Sequence, residues 1–251
     1  MLRIAVITGV ILGSSVAASL AAKTSLTVRQ VIETLRAADL DHPANFADRD
    51  LSYLDLSGID FKHADLSGAN LLAADLSDSN LSGANLAGAD LDRVVVIRAD
   101  FAGANLSHAS VFEPVAYSKL EAAKAEAPDF AGADFSGSRV VVQVSQVDLH
   151  NANFSGARLE WERRDQLKTP VRAEFTWCNL SGANFAGAKL QEVRFTSSDL
   201  SYVDFTGADL SRADLSDTNL TGASFTAANL DHTNLRGAVL TDAQGLATPK
   251  D

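Results

Sequence analysis

ADLSGANLLAADLSDSNLSGANLAGADL, residues 64–91, decides the architecture of this chain. A large apolar residue recurs at every fifth position, a small residue, mostly Ala, stands two positions before it, and Asp or Asn stands directly before it. The same step runs from Phe46 to Val111 and again from Phe175 to Leu240. Self-similarity at a fixed short period is the signature of a solenoid, in which each repeat packs only on its neighbours.

The five-residue period disfavours a packed helix. Residues five apart lie about 140° from each other around an α-helix, so the leucines would spread over its whole circumference. If the large residue and the small one two before it point inward, the chain consists of short extended pieces joined by one turn per repeat, for which Asp, Asn, Ser and Gly supply the chemistry. The pattern A-(D/N)-L-x-x resembles that of the pentapeptide-repeat family. The resemblance implies an all-β solenoid, a right-handed quadrilateral β-helix with four repeats per coil.

The distribution of acidic residues favours this coil length. Stacked strands lie ~4.8 Å apart, and two exposed carboxylates at that distance repel by ~1 kcal/mol even in water. Acidic residues one coil apart should therefore be rare. In the two regular runs, Asp55 and Asp75 form the only such pair directly before the large residues. The columns alternate instead, as in Asn45, Asp65 and Asn85.

The aromatic residues of the second run fit the same coil. Phe185, Phe205 and Phe225 are each separated by four repeats, so they should stack in one inner column. Phe175 and Phe195 should begin the column on the opposite side.

Composition and charge limit the function. The chain has 251 residues, a formal net charge of −11 and a single cysteine, Cys178. The acidic excess disfavours binding to nucleic acid and offers no basic stripe for anionic membranes. One cysteine excludes an intramolecular disulfide, and its place at the small inward position before Leu180 predicts a buried thiol. We expect one elongated domain that holds no cofactor.

The first 21 residues have the pattern of a secretory signal peptide. Arg3 supplies a basic n-region, Ile4 to Leu12 an apolar core, and the small residues between Val16 and Ala21 offer cleavage sites. We expect residues 1–21 to be removed and the protein to be exported, either to the periplasm or as a secreted protein. The uncharged run from Ile4 to Ala22 is long enough for an uncleaved membrane anchor, which stays open as the alternative.

A short helix is predicted within residues 22–43. Thr27 and Gln30 make a capping box, and an apolar face follows, formed by Val28, Val31, Ile32 and Leu35. We expect this helix to cover the first coil, because an open solenoid end is an unpaired edge. A partner-binding amphipathic helix is the alternative.

The C-terminal tail, residues 241–251, is too short and polar to form an equivalent cap. The final coil, which ends in Leu235 and Leu240, should therefore be the less protected end. Such an edge tends to be covered or paired, and a two-fold contact would close the assembly. The sequence thus predicts a possible homodimer through the C-terminal coil.

Two interruptions break the repeats of residues 44–240. The first, 112–129, has helical propensity that ends at Pro128. The second, 160–174, carries our candidate partner contacts, because Trp and Arg are typical interface anchors and loops on rigid scaffolds often bind. These contacts are Trp161, Arg163, Arg164, Lys168 and Arg172. Between the interruptions the step from Val140 to Val144 shortens to four. A distorted coil or a plain surface excursion is the alternative interpretation of both segments.

The sequence offers no catalytic or metal-binding motif. It contains no G-x-S-x-G, Walker or H-E-x-x-H pattern, and its five histidines are dispersed. We therefore predict a non-catalytic, exported interaction or structural scaffold with an unknown protein partner. The family resemblance implies an alternative, an acidic DNA mimic that binds a type II topoisomerase such as gyrase. The export pattern argues against it, because gyrase is cytoplasmic.

Overall fold

The computed structural model describes residues 25–39, 41–117, 124–159 and 172–246. The predicted signal segment, 1–21, lies outside these ranges. The described chain forms a right-handed quadrilateral β-helix, which confirms the predicted fold class. Parallel bridges join the residue before each large apolar residue to its counterpart one coil later, for example Asn45 to Asp65 and Asp65 to Asn85. Each coil of the regular runs therefore contains four repeats.

Within the described ranges, extended secondary structure is short. Helix α1 spans Val28–Ala37, a 3₁₀ turn spans Lys124–Glu126, and the strands are β1 Ser110–Phe112, β2 Arg139–Val141, β3 Gln143–Ser145 and β4 Glu174–Thr176. β1 pairs with β2 and β3 pairs with β4, both in parallel. In the other repeats each extended piece contributes a single residue to the parallel pairing, because each five-residue repeat must also turn a corner. No helix among these residues is long and apolar enough to span a membrane.

Backbone hydrogen bonds connect each coil to both of its neighbours. The N–H groups of Leu66 and Gly68 donate to the following coil, at 2.7 Å and 2.8 Å. The N–H of Asp65 donates in the other direction, to Ala44 O at 2.8 Å. Gly68 turns the corner with a φ of 61°, and non-glycine residues such as His63 also adopt this left-handed conformation at corners.

The Asp or Asn before each large residue closes the turn and also links two coils. Asp65 Oδ1 accepts the Ser67 N–H at 3.0 Å, and the same oxygen accepts Asn85 Nδ2 from the next coil at 3.0 Å. Equivalent bonds run from Asn70 to Asp50 and from Asn219 to Asp199. Asp and Asn therefore alternate for a second reason besides charge repulsion, since an amide can donate to a carboxylate and a second carboxylate cannot.

The interior is filled by the large apolar residues and the small residues two positions before them. The predicted aromatic columns are present, with ring centroids 5.5 Å apart for Phe185 and Phe205 and 5.4 Å apart for Phe205 and Phe225. Phe175 and Phe195 stack in their own column at 5.4 Å. All five side chains are at most 1% exposed, so one continuous core runs through the second run of repeats.

Parts of the two predicted interruptions, 112–129 and 160–174, still belong to the β-helix. Val115 still bridges Val95, and Ala116 is buried, so the coil continues past residue 112. At the second interruption, Ala173 is buried and Glu174 already belongs to β4. The repeat pattern is less evident at the first interruption because Ala116 occupies the inward position that holds Leu or Phe in most repeats. The small Ala116 side chain also contributes to an apolar cavity of about 30 Å³.

Helix α1 covers the start of the solenoid. The predicted capping box is formed, because the Gln30 N–H donates to Thr27 Oγ1 at 3.3 Å and the Thr27 N–H donates to Gln30 Oε1 at 2.9 Å. Val31 is fully buried against the core, and Leu35 is partly buried. Just before the helix, Ser25 bridges Asp50.

Candidate interaction surfaces

Of the five predicted contact residues, only Arg172 lies within the described ranges. Trp161, Arg163, Arg164 and Lys168 lie outside the described ranges. Arg172 Nη2 contacts Glu192 Oε2 at 3.2 Å, with both side chains about two-fifths exposed. The segment also contains four acidic residues, which offset the charge of its four cations: Glu160, Glu162, Asp165 and Glu174. Arg172 thus belongs to an ion pair on the solenoid surface, and the net charge of the segment gives it little preference for an acidic partner.

An exposed tryptophan marks a surface outside the predicted contact segment. Trp177 is 68% exposed and stands at a corner with a φ of 58°. It lines an open depression of about 470 Å³ whose other walls are Lys124, Gln146, Val147, Asp148 and Asn179. Trp177 sits two positions after Phe175, where the repeat turns outward, so its exposure could have been predicted from the repeat itself. Exposed Trp residues are typical interface anchors.

Three cations stack on one face of the solenoid, contrary to the expectation of no basic stripe. We name Arg139, Arg158 and Lys189 the basic column; parallel bridges join Arg139 to Arg158 and Arg158 to Lys189. The Arg139 guanidinium lies 5.0 Å from the centroid of the Phe112 ring, a cation–π contact. The basic column could not be predicted from the regular spacing, because the interruptions change the number of residues between these three cations from the usual four repeats.

Three carboxylates stack on another face of the solenoid, one coil nearer its N-terminus than the basic column. We name Asp100, Asp129 and Asp148 the acidic column; bridges join Asp100 to Asp129 and Asp129 to Asp148. At other positions neighbouring coils pair opposite charges, as in the 2.6 Å bond from Arg98 Nη2 to Asp78 Oδ2, although Asp55 and Asp75 form one more pair of stacked carboxylates. This bond with Arg98 lowers the pKa of the Asp78 carboxyl. The two columns are thus local departures from the charge alternation of the solenoid.

The last coil is less covered than the coils before it. Leu210, Leu215 and Leu220 are fully buried, whereas Leu230, Leu235 and Leu240 are only partly buried. The N–H groups of the first three donate to the following coil, to carbonyls of Asn229, Asn234 and Val239. Within the part of the chain that the structure describes, the equivalent N–H groups of Leu230, Leu235 and Leu240 have no acceptor. This coil is therefore an open sheet edge with apolar side chains beneath it.

The single cysteine is buried, as predicted, whereas three histidines lie on the surface. Cys178 is 2% exposed, and desolvation raises the pKa of its thiol to about 12. His63, His108 and His232, each two positions after a large apolar residue, stand at exposed corners. Among the described residues, no group of three or more His, Cys, Asp or Glu side chains is arranged to hold a metal ion.

The repeats identify the family. The model of the family "Pentapeptide repeats" matches eight copies, at residues 44–83, 79–111, 178–217 and 218–244. These ranges span more than half of the chain, so the protein belongs to the pentapeptide repeat family. The resemblance seen in the sequence is thereby confirmed.

Several solved pentapeptide repeat proteins are similar to this chain. HetL, involved in heterocyst differentiation regulation in the cyanobacterium Nostoc sp. strain PCC 7120, is 22% identical, with a TM-score of 0.46 over 87% of this chain and 94% of that chain. QnrB1, a plasmid-mediated fluoroquinolone resistance protein, is 20% identical, with a TM-score of 0.36 over 77% of this chain and 88% of that chain. No curated protein shows significant similarity. The two structures share the repeat with this chain and do not identify its partner.

Proposed function

We propose that the protein is an exported, non-catalytic scaffold that binds proteins through its surface and pairs with a second copy through its C-terminal coil. The observation that carries this proposal is the open edge at Leu230, Leu235 and Leu240, where backbone donors and apolar side chains are uncovered together. Exposed sheet edges tend to be covered or paired. Helix α1 covers the other end, so head-to-tail growth along the axis is blocked and a two-fold contact closes the assembly.

Light scattering and hydrogen exchange test the pairing on the mature chain. We expect a dimer at tens of micromolar and a monomer after Leu240→Asp, because a carboxylate at the contact would lose its water without gaining a partner. Amide exchange at Leu230 and Leu235 should slow as the protein concentration rises, whereas exchange at the interior Leu210 should not change. A monomeric wild type, or a dimer that tolerates Leu240→Asp, would contradict the proposal.

Export is supported by the basic, apolar and small-residue segments in order at the N-terminus. Fractionation of a C-terminally tagged full-length chain should give a processed, exported pool, and N-terminal sequencing should place its first residue between Ser19 and Lys23. Unprocessed protein in the membrane pellet would mean an anchor instead of a cleaved signal.

The DNA-mimic alternative is favoured by the net charge of −11 and by the two loop-like interruptions of the repeats. The basic column interrupts that charge at Arg139, Arg158 and Lys189, where a mimic of a phosphate backbone would need acidic residues. A cytoplasmic pool of full-length chain that inhibits DNA supercoiling by gyrase would support the mimic. We expect no cytoplasmic pool and no effect on supercoiling.

A further inference from the structure

The basic and acidic columns lie on opposite faces of the same part of the rod. Along one coil, Asp129 begins one face, Asp134 the next, Arg139 the third and Gln143 the fourth, before Asp148 returns to the first. Arg139 is therefore two faces away from Asp129 around a four-sided coil. The basic column points away from the acidic column, so no ion pair between the two columns can form within one molecule.

Both columns place like charges on stacked strands, which lie ~4.8 Å apart, so these charges repel each other. Among the bridges of the described residues, Asp55 to Asp75 is the only other pair of like charge. Opposite charges pair elsewhere, for example in the 3.0 Å contact between Arg194 Nη1 and Glu174 Oε1 on neighbouring coils. Positions that depart from the pattern kept by the rest of a protein, here the alternation of charge between coils, are candidates for function.

We propose that the basic column of one copy binds the acidic column of a second copy, side by side. The match extends beyond the three charges. Ser110 and Asp209 border the basic column, and Asn80 and Asn179 border the acidic column. When the two copies lie parallel, the two series of residues face each other in order. Ser110 faces Asn80, Arg139 faces Asp100, Arg158 faces Asp129, Lys189 faces Asp148 and Asp209 faces Asn179. Three cations meet three carboxylates, and the bordering Asp209 meets an amide.

The spacing also favours a second copy over a long polyanion. Both columns follow the strand separation of the same solenoid, so their charges have the same axial repeat. A nucleic acid or an anionic polysaccharide that followed the basic column would run into Asp209 at one end and Asp90, beyond Ser110, at the other. Either carboxylate would repel it.

Aromatic side chains lie beside both columns and supply contact area that ion pairs lack. Trp177 shares the open depression with Asp148, and Phe112 lies beneath the Arg139 guanidinium. Exposed ion pairs contribute little to affinity by themselves, so an exposed Trp next to the acidic column is the expected anchor. Covering the acidic column would cover Trp177 as well.

This contact joins two different faces, so it does not close. Each added copy leaves one basic and one acidic column free, and association continues sideways. The end-to-end contact through Leu240 stops at two copies. The lateral contact is also independent of whether the chain is exported.

Sedimentation of the mature chain carrying Leu240→Asp tests the lateral contact without the end-to-end one. In about 50 mM salt the average mass should rise steadily with protein concentration, and in about 500 mM salt it should remain that of the monomer, because screening shortens the range of the charges. A chain that stays monomeric in low salt at several hundred micromolar would overturn the proposal.

A neutralised acidic column separates binding from folding. The triple variant Asp100→Asn, Asp129→Asn and Asp148→Asn should lose the rise in mass yet melt no lower than the parent. Asn keeps the turn, as the bond from the Ser82 N–H to Asn80 Oδ1 shows, and like-charge repulsion disappears. The matched control changes Asp55, Asp75 and Asp214 to Asn on the fourth face, which belongs to neither column, with the same change in net charge. This control should still associate; equal loss in both variants, or in neither, would refute a face-specific contact.

Charge exchange gives the final test. One variant carries Arg139→Glu, Arg158→Glu and Lys189→Glu; the other carries Asp100→Arg, Asp129→Arg and Asp148→Arg. Each alone should be monomeric in low salt, because both of its columns have one sign, and an equimolar mixture should associate again. Arg and Lys already occupy this repeat position natively, so the coil accommodates the substitutions. A mixture of folded variants that fails to associate would overturn the pairing.

Discussion

The coil around Phe205 and the last coil, which ends at Leu240, are built from the same repeat but differ in burial. In the first, the large residues are fully buried and their N–H groups bond to the next coil. In the last, side chains of the same type are partly exposed, and the same N–H groups have no acceptor among the described residues. A pentapeptide repeat therefore does not bury itself. Its stability comes from the coils above and below it, as expected for a solenoid.

The largest expected effect comes from breaking an interior coil. Phe205→Asp should unfold the central coils, because burying an unpaired carboxylate adds to the ~3–5 kcal/mol that a Phe-to-Ala change costs. Ser211→Asp, which lies on the outer surface, should change the melting temperature little. Circular dichroism melts of both variants check this. Equal melting temperatures would mean that the inward and outward positions of the repeat are assigned wrongly.

Thiol reactivity compares another interior coil, which contains Cys178, with the last coil at one position of the repeat. Cys178 and Ala238 both occupy the small inward site before the large residue of their coils. The thiol of Cys178 has a pKa of about 12 because it is desolvated, so little nucleophilic thiolate exists near pH 8. In a Cys178→Ala background, Ala238→Cys places the thiol in the partly exposed last coil, with a pKa nearer to the ordinary value of ~8.5.

We expect iodoacetamide to alkylate the thiol at 238 at least ~100-fold faster than Cys178 in the folded protein, since the thiolate is the nucleophile. The measurement is the rate of mass increase at several pH values. In denaturant the two thiols should react at similar rates, which serves as the control. Equal native rates would show that the last coil is as well sealed as the interior.

Truncating one leucine in each coil measures the contribution of stacking. Leu210 is fully buried, and Leu230 is its partly buried counterpart one coil later. Leu210→Ala should lower the free energy of unfolding by ~3–4 kcal/mol, and Leu230→Ala by ~1–2 kcal/mol, because part of that side chain already contacts water. Chemical denaturation, at protein concentrations too low for the dimer to form, measures the two losses of unfolding free energy. Similar losses would mean that the final coil has a cover beyond the described residues.

The same contrast explains what the sequence could predict. The five-residue step predicted the inward positions of Phe205 and Leu210, because these depend only on regular spacing. The family resemblance implied the four-sided coil, which the distribution of acidic residues favoured, and the short polar tail predicted the weak C-terminal end. The basic column was missed because Arg139, Arg158 and Lys189 are aligned by two irregular coils whose lengths the sequence does not state. Trp177 was not predicted for another reason. It stands in a regular repeat, where no break in the pattern distinguishes one outward position from the others, whereas Trp161 lies in an irregular segment.

The smallest expected effect concerns the polar link between coils. Asp55 and Asp75 are bridged carboxylates in neighbouring coils, whereas Asn85 Nδ2 donates to Asp65 Oδ1 at 3.0 Å in an equivalent place. Asp75→Asn should raise the free energy of unfolding by ~0.5–1 kcal/mol, because it replaces a repulsion with an amide-to-carboxylate bond. Asn85→Asp makes the reverse exchange and should lower it by a similar amount.

Both variants keep the acceptor that closes the turn, since an Asp or Asn oxygen accepts the N–H two residues later, as in the bonds from Ser77 to Asp75 and from Ala87 to Asn85. Urea denaturation at low and high salt separates the two causes. Screening should shrink the charge contribution and leave the hydrogen bond. If neither variant shifts the midpoint, the Asp and Asn alternation reflects turn chemistry alone, and apolar stacking remains as the main difference between an interior coil and the last one.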